Sequence, residues 1–105
     1  MLEEWVLKKR KIEASKDNLK GIDLCNAKLM GAKLDGADLS QADLSSAYLI
    51  KADLSKASLA GADLTGAVLS EANLSYVNLD GAELMDTYLH GANLKGAIHL
   101  TCYQI

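Results

Sequence analysis

The sequence predicts a solenoid: a chain that turns once every five residues, always to the same side, and stacks its coils around a leucine interior. Three observations predict it. Leucine fills every fifth position from Leu19 to Leu94, sixteen consecutive times without a slip. Alanine stands two residues before the leucine in twelve of those units, the exceptions being Asp17, Ile22, Val77 and Thr87. All eight glycines fall two residues after a leucine, and the 105 residues contain no proline. Self-similarity at a fixed short period is the sequence signature of a repeat architecture.

A period of five suits neither regular element. On an α-helix, five steps of roughly 100° advance the side chain by roughly 140°, so the leucines wind around the cylinder and line no face. On a continuous strand, an odd period sends successive leucines to opposite sides. A chain that bends once per unit keeps every leucine inside. Glycine at the bend agrees, because it enters φ > 0 without a Cβ penalty. The missing proline agrees as well, since stacked coils need every backbone N–H.

The stretches GADLSQADLSSAYL and GANLKGA carry a small-(Asp/Asn)-Leu-x-x motif, and the chain resembles the pentapeptide-repeat proteins over residues 17–96. The resemblance implies an all-β fold, a right-handed quadrilateral parallel β-helix with four units per coil and about four coils. Leucine and the preceding small residue would face inward. At the ~4.8 Å spacing of paired strands the rod would be roughly 19 Å long.

Residues 1–16 lack the repeat. Leu2, Trp5, Val6 and Ile12 keep a three-four spacing that predicts one short amphipathic helix, read as an N-terminal cap over the first leucine layer. The basic run Lys8, Lys9, Arg10 and Lys11 reads as a solvated helix face, with a nucleic-acid or membrane patch as its alternative. At residues 97–105 the repeat decays. His99 takes the place of an inward leucine, and Ile98, Leu100, Tyr103 and Ile105 follow. This tail is expected to fold over the last coil or to meet a second subunit there. Members of the family dimerise through C-terminal ends, so the resemblance implies a candidate homodimer.

With four units per coil, residues twenty apart stack and the outward positions sort into four walls. One wall carries Asp23, Asp43, Asp63 and Glu83, a column of four carboxylates. Neighbouring like charges are expected to raise one another's pKa somewhat, with salt screening most of the effect. Two readings are open: a cation or partner-facing strip, or carboxylates that satisfy local turn groups, as Asp38, Asp53 and Asn73 would. A second wall carries Lys28, Tyr48, Val68 and Tyr88, with Met30 and Ile50 beside it. It is the least polar, through strand propensity or because it is a contact surface. The remaining walls, with Asn18, Asp38, Ser58 and Asn78 on one and Lys33, Asp53, Asn73 and Asn93 on the other, look solvated.

The net charge is −3, and no lysine or arginine occurs between Lys56 and Lys95. Such a balance argues against direct nucleic-acid binding. One acidic branch of the family resembles duplex DNA and occupies DNA gyrase, so a gyrase inhibitor or protector is the alternative function. Charge density weakens it: ~19 Å of duplex carries about eleven charges at one per ~1.7 Å, and residues 21–105 carry a net −5. The inward phenylalanines of that branch are absent, as is any insertion that would make a projecting loop.

No catalytic constellation, cofactor motif or metal site is found. His90 and His99 lack a carboxylate and a nucleophile at any motif spacing. His99 with Cys102 supplies two ligands where a structural zinc needs four. A filled Leu/Ala interior leaves no internal pocket. Cys25 and Cys102, 77 residues apart, read as reduced thiols. No apolar run is long enough to span a bilayer, and MLEEWVLKKRK lacks the apolar core of a signal peptide, so a cytoplasmic protein without membrane contact is expected. The function expected is a non-enzymatic scaffold whose walls bind a protein partner.

Overall fold

The computed structural model describes residues 2–98. The repeat is realised as sixteen β-turns. In every unit from Leu19 to Leu94, the leucine carbonyl accepts from the N–H three residues on, as in Ala27 N–H to Leu24 O at 3.0 Å and Ala52 N–H to Leu49 O at 3.0 Å. The third residue of each turn has φ between +57° and +74° while the second does not, which makes these type II turns. Eight of these positions are glycine and eight are not, Asn26, Lys51 and Tyr76 among the latter. Glycine at the bend is therefore a preference of this chain and not a condition of the turn.

Between turns only one residue per unit is left to pair, and that is why the walls are isolated bridges and not longer strands. Among the described residues all twelve bridges are parallel and join residues twenty apart, from Asp23 with Asp43 to Asn78 with Ile98. Four units thus complete one coil, as the resemblance implied. Each wall is held on both sides: Asp63 N–H donates to Ala42 O at 3.0 Å, and Leu44 N–H donates to Asp63 O at 2.8 Å. A third bond ties the corners, as in Ser46 N–H to Thr65 O at 2.9 Å. No proline could occupy any of these three places without losing a bond between coils.

The leucines from Leu19 to Leu84 are buried, and no polar or charged residue is buried among the described residues. Each enclosed leucine contributes roughly 1.5–3 kcal/mol by leaving water. The inward place two residues earlier is mostly alanine where coils lie above and below it, although Val77 is also accommodated there at 0% exposure. Ala47, Ala52 and Ala62 are fully enclosed. The bulkier Ile22 stands at the bottom of its column, where no earlier residue of the register lies beneath it, and is half-buried.

The N-terminal segment forms α1 (Glu4–Glu13), followed by a 3₁₀ turn over Lys16–Asn18. Ile12 joins the leucine interior, while Trp5 and Val6 are half-buried. Leu2, part of the expected apolar face, lies ahead of the helix and is exposed. Asp17 and Asn18, in phase with the repeat, lie in the 3₁₀ turn instead. In consequence Asp38 N–H reaches Lys16 O at 2.9 Å, 22 residues back, where the later coils bond 21 residues back. Glu13 Oε2 accepts the N–H of Lys33, and Lys9 Nζ donates to Met30 O at 3.2 Å, so this segment satisfies backbone groups of the first coil.

Candidate functional site

Among the described residues every buried side chain is apolar, so their polar and charged groups lie on the walls, the corners and the two ends. The carboxylate column is present as arithmetic on the register expected: Asp23, Asp43, Asp63 and Glu83 are linked by successive bridges. The aspartates have a local task. Asp23 Oδ1 accepts the N–H of Cys25 at 3.0 Å, Asp43 Oδ1 that of Ser45 at 3.0 Å, and Asp63 Oδ1 that of Thr65 at 2.9 Å. Asp38, Asp53 and Asn73 repeat the motif on the other walls, so an acid or amide before leucine folds back on the turn that follows.

This geometry overturns the expected upward shift at Asp43. The Ser45 hydroxyl, 2.6 Å from Oδ1, and then the Ser45 N–H hold its carboxyl below the ordinary value. Asp38 is lowered in the same way by Ser40. At Asp43 the hydrogen bonds to the charged form set the direction of the shift.

The second wall is continuous as well: Lys28, Tyr48, Val68 and Tyr88 are joined by successive bridges. Tyr48 is 44% and Tyr88 60% exposed, with the half-buried Val68 between them. Ile50 lies half-buried beside Tyr48. Met85, one residue past Leu84 and on the approach to the corner shared with the carboxylate wall, is 70% exposed. Sequence reasoning did not single out Met85, because a residue one place after the leucine carries no fixed character in this repeat.

At the C-terminal end Leu89, Ala92, Leu94 and Ala97 are only partly buried against the interior, and Ile98 is 50% exposed. Leu100, Tyr103 and Ile105, the other residues of the expected dimer end, lie outside the described residues, as do His99 and Cys102.

The other end holds a feature that the sequence reading missed. A cleft of about 440 Å³ lies between α1 and the first coil, bordered by Trp5, Lys8, Ile12, Cys25 and Lys28. The leucine and alanine phase excludes a pocket only within the coils, and a gap between a helix and a coil end leaves no trace in the repeat. Its lining includes Leu24 and Leu29, which are 2% and 1% exposed, and the half-buried Trp5. In the basic run, Lys9 sits 5.7 Å from the centre of the Trp5 ring, while Lys8, Arg10 and Lys11 are exposed. Among the described residues no group of three or more His, Cys, Asp or Glu could hold a metal ion.

Comparison with known proteins agrees with this geometry. The family model described as pentapeptide repeats matches in eight copies over residues 18–45, 47–84 and 62–98. Among solved structures, the chain is similar to a pentapeptide repeat protein from the Arabidopsis thaliana thylakoid lumen, with 36% identity and a TM-score of 0.76 over 80% of this chain and 58% of that one. It is also similar to the pentapeptide repeat protein Rfr23 from the cyanobacterium Cyanothece 51142, with 40% identity and a TM-score of 0.71 over 72% of this chain and 52% of that one. The chain therefore spans little more than half the length of either relative. No curated protein matches its sequence. With a five-residue period, sixteen type II turns and bridges twenty residues apart, the chain belongs to the pentapeptide repeat family.

Proposed function

We propose that this chain is a non-enzymatic scaffold that binds a protein partner through its outer walls. The observation that carries the reading is the Tyr48, Val68, Tyr88 ladder, a bridged column with two exposed aromatic rings on a rod whose interior is filled by leucine and alanine. Exposed aromatic residues on a rigid support are the usual anchors of protein recognition. In this reading residues 1–16 cap the first coil, residues 17–96 form about four right-handed coils that present the walls, and residues 97–105 are the C-terminal tail, of which 99–105 lie outside the described residues. The half-buried Leu89 and Leu94 and the exposed Ile98 support a homodimer contact at that end. Cofactors and direct nucleic-acid contact have no part in it.

Among the described residues no helix is long and apolar enough to cross a membrane. The exposed free thiol of Cys25 suits a reducing compartment such as the cytoplasm. Family membership does not fix that location, since one relative comes from a thylakoid lumen.

Two experiments test the proposal. Light scattering over a hundredfold concentration range reads the mass: a dimer that Leu94→Lys dissolves supports the end contact, and a monomer throughout removes it. A supercoiling assay with DNA gyrase tests the alternative reading as a DNA-mimicking regulator. Its sole support is the stretch without lysine or arginine between Lys56 and Lys95, and no inhibition or drug protection at micromolar protein removes it.

A further inference from the structure

We infer that the partner of the tyrosine wall is an amphipathic basic α-helix lying along the rod. The inference rests on the wall being a partner surface and adds what fits it. The first argument is the repeat distance. Tyr48, Val68 and Tyr88 are successive members of one bridged column, so their spacing along the axis is that of paired strands, ~4.8 Å per step. A helix laid parallel to the axis presents a side chain every turn of about 5.4 Å. From Tyr48 to Tyr88 the two ladders drift apart by only about 1.2 Å, so aliphatic residues at i, i+4 and i+7 seat beside all three. An extended strand repeats its face every ~6.8 Å and drifts by about 4 Å over the same two steps.

The second argument is charge. The neighbouring wall carries Asp43, Asp63 and Glu83, and Asp86 stands at the corner between the two. The bonds that tie Asp43 and Asp63 to their turns go to Oδ1 and do not engage Oδ2. The bases near the tyrosine wall are Lys28 at its foot and Lys51 at its opposite corner. That corner also carries Glu71, twenty residues after Lys51 and so one coil above it, which leaves it close to neutral, and a helix with lysine or arginine along the flank that faces the carboxylate wall is thus complementary. Lys28 displaces it toward Val68 and Tyr88, where Met85 adds apolar surface. Charge of this kind sets the orientation and the encounter rate, and the apolar ladder supplies most of the affinity.

The probe is a set of three synthetic peptides of about 18 residues: a helix with leucine at i, i+4 and i+7 and lysine on one flank, the same helix with glutamate for lysine, and the lysine peptide broken by a central proline. Calorimetric titration of the intact protein should show binding of the lysine helix alone. Tyr88→Ser should weaken it about tenfold or more. Asp63→Asn with Glu83→Gln should weaken it a few-fold and flatten its salt dependence. Tyr48→Phe, which keeps the ring, should bind as wild type and shows that the wall, not a single hydroxyl, is read. If the glutamate or proline peptide binds equally well and still depends on Tyr88, the helix and charge assignment is overturned while the wall remains a contact surface. If no peptide binds, or none depends on Tyr88, both readings fall.

Discussion

The Thr87 hydroxyl donates to the carbonyl of Leu64, 23 residues earlier in the chain, at 2.7 Å. That carbonyl already accepts the N–H of Ala67 at 2.9 Å. Thr87 occupies an inward place that alanine fills in twelve of the sixteen units, and this second bond to one oxygen is how a hydroxyl is tolerated there. Thr87→Val, which keeps the shape and removes the donor, should cost about 1 kcal/mol or less, because Leu64 O keeps its backbone partner. Denaturant melts of the two proteins measure it, and a loss above about 3 kcal/mol would mean that the hydroxyl holds more than this one carbonyl.

Gly96 and Tyr76 form the next test. Tyr76 has a φ of +59°, a costly conformation for an aromatic residue, and its ring lies over Gly96. A Cβ built on Gly96 falls 2.5 Å from that ring, whereas one built on Gly21 meets nothing within 4 Å. Gly21→Ala should therefore cost only the left-handed strain of about 1–2 kcal/mol. Gly96→Ala should cost about 1 kcal/mol more, and Tyr76→Ala in the same chain should recover that excess. Equal losses at the two glycines would place the ring elsewhere.

The inward phase is tested at Leu54, which is fully enclosed. Leu54→Ala should lower stability by about 2–5 kcal/mol, and Leu54→Asp, which buries an unpaired charge, should unfold the rod. Ser55, the next residue, is no silent control. Its hydroxyl donates to Asp53 Oδ1 at 2.6 Å, so Ser55→Asp would set two carboxylates against each other. Lys51→Gly, at an exposed corner with φ of +61°, is the better control and should leave the melting temperature nearly unchanged.

Acid stability follows from the turn carboxylates. The folded-state pKa values of Asp35, Asp38 and Asp43 lie below their ordinary value of 3.8: the Lys16 ammonium lowers the first, and the Ser40 and Ser45 hydroxyls lower the second and third. A lowered carboxyl stabilises the fold above its unfolded-state pKa and loses that contribution as the pH falls through its folded-state value. Stability should decline from near pH 4 downward. Ser45→Ala should raise the Asp43 pKa toward 3.8 in a carboxyl NMR titration; an unchanged value would remove the hydroxyl as its cause.

What the sequence could reveal followed from what the repeat constrains. Leu54 and Ala52 were placed inside by their phase, because each faces identical neighbours in the coils above and below. The wall columns followed from the same register, and Tyr48, Val68 and Tyr88 do form one ladder. Asp43 shows the limit. Its charge was legible, but the direction of its pKa shift depends on one oxygen turning back to Ser45, a rotamer that spacing does not encode. Lys56 and Tyr76 show another, since nothing about a lysine or a tyrosine announces φ near +60°. Where the repeat stops, so does the register argument: the 3₁₀ turn at Lys16–Asn18 and the cleft beneath α1 arise from how a helix meets a coil end.

The measurement that most directly tests the central claim is site-specific photo-crosslinking in the native cell extract, with a benzophenone side chain placed in turn at positions 48 and 88 of the tyrosine wall and at positions 53 and 93 of the solvated wall. The proposal predicts one protein joined from 48 and from 88 and absent from 53 and 93. Equal capture from all four positions, or capture from 53 and 93 alone, would contradict it.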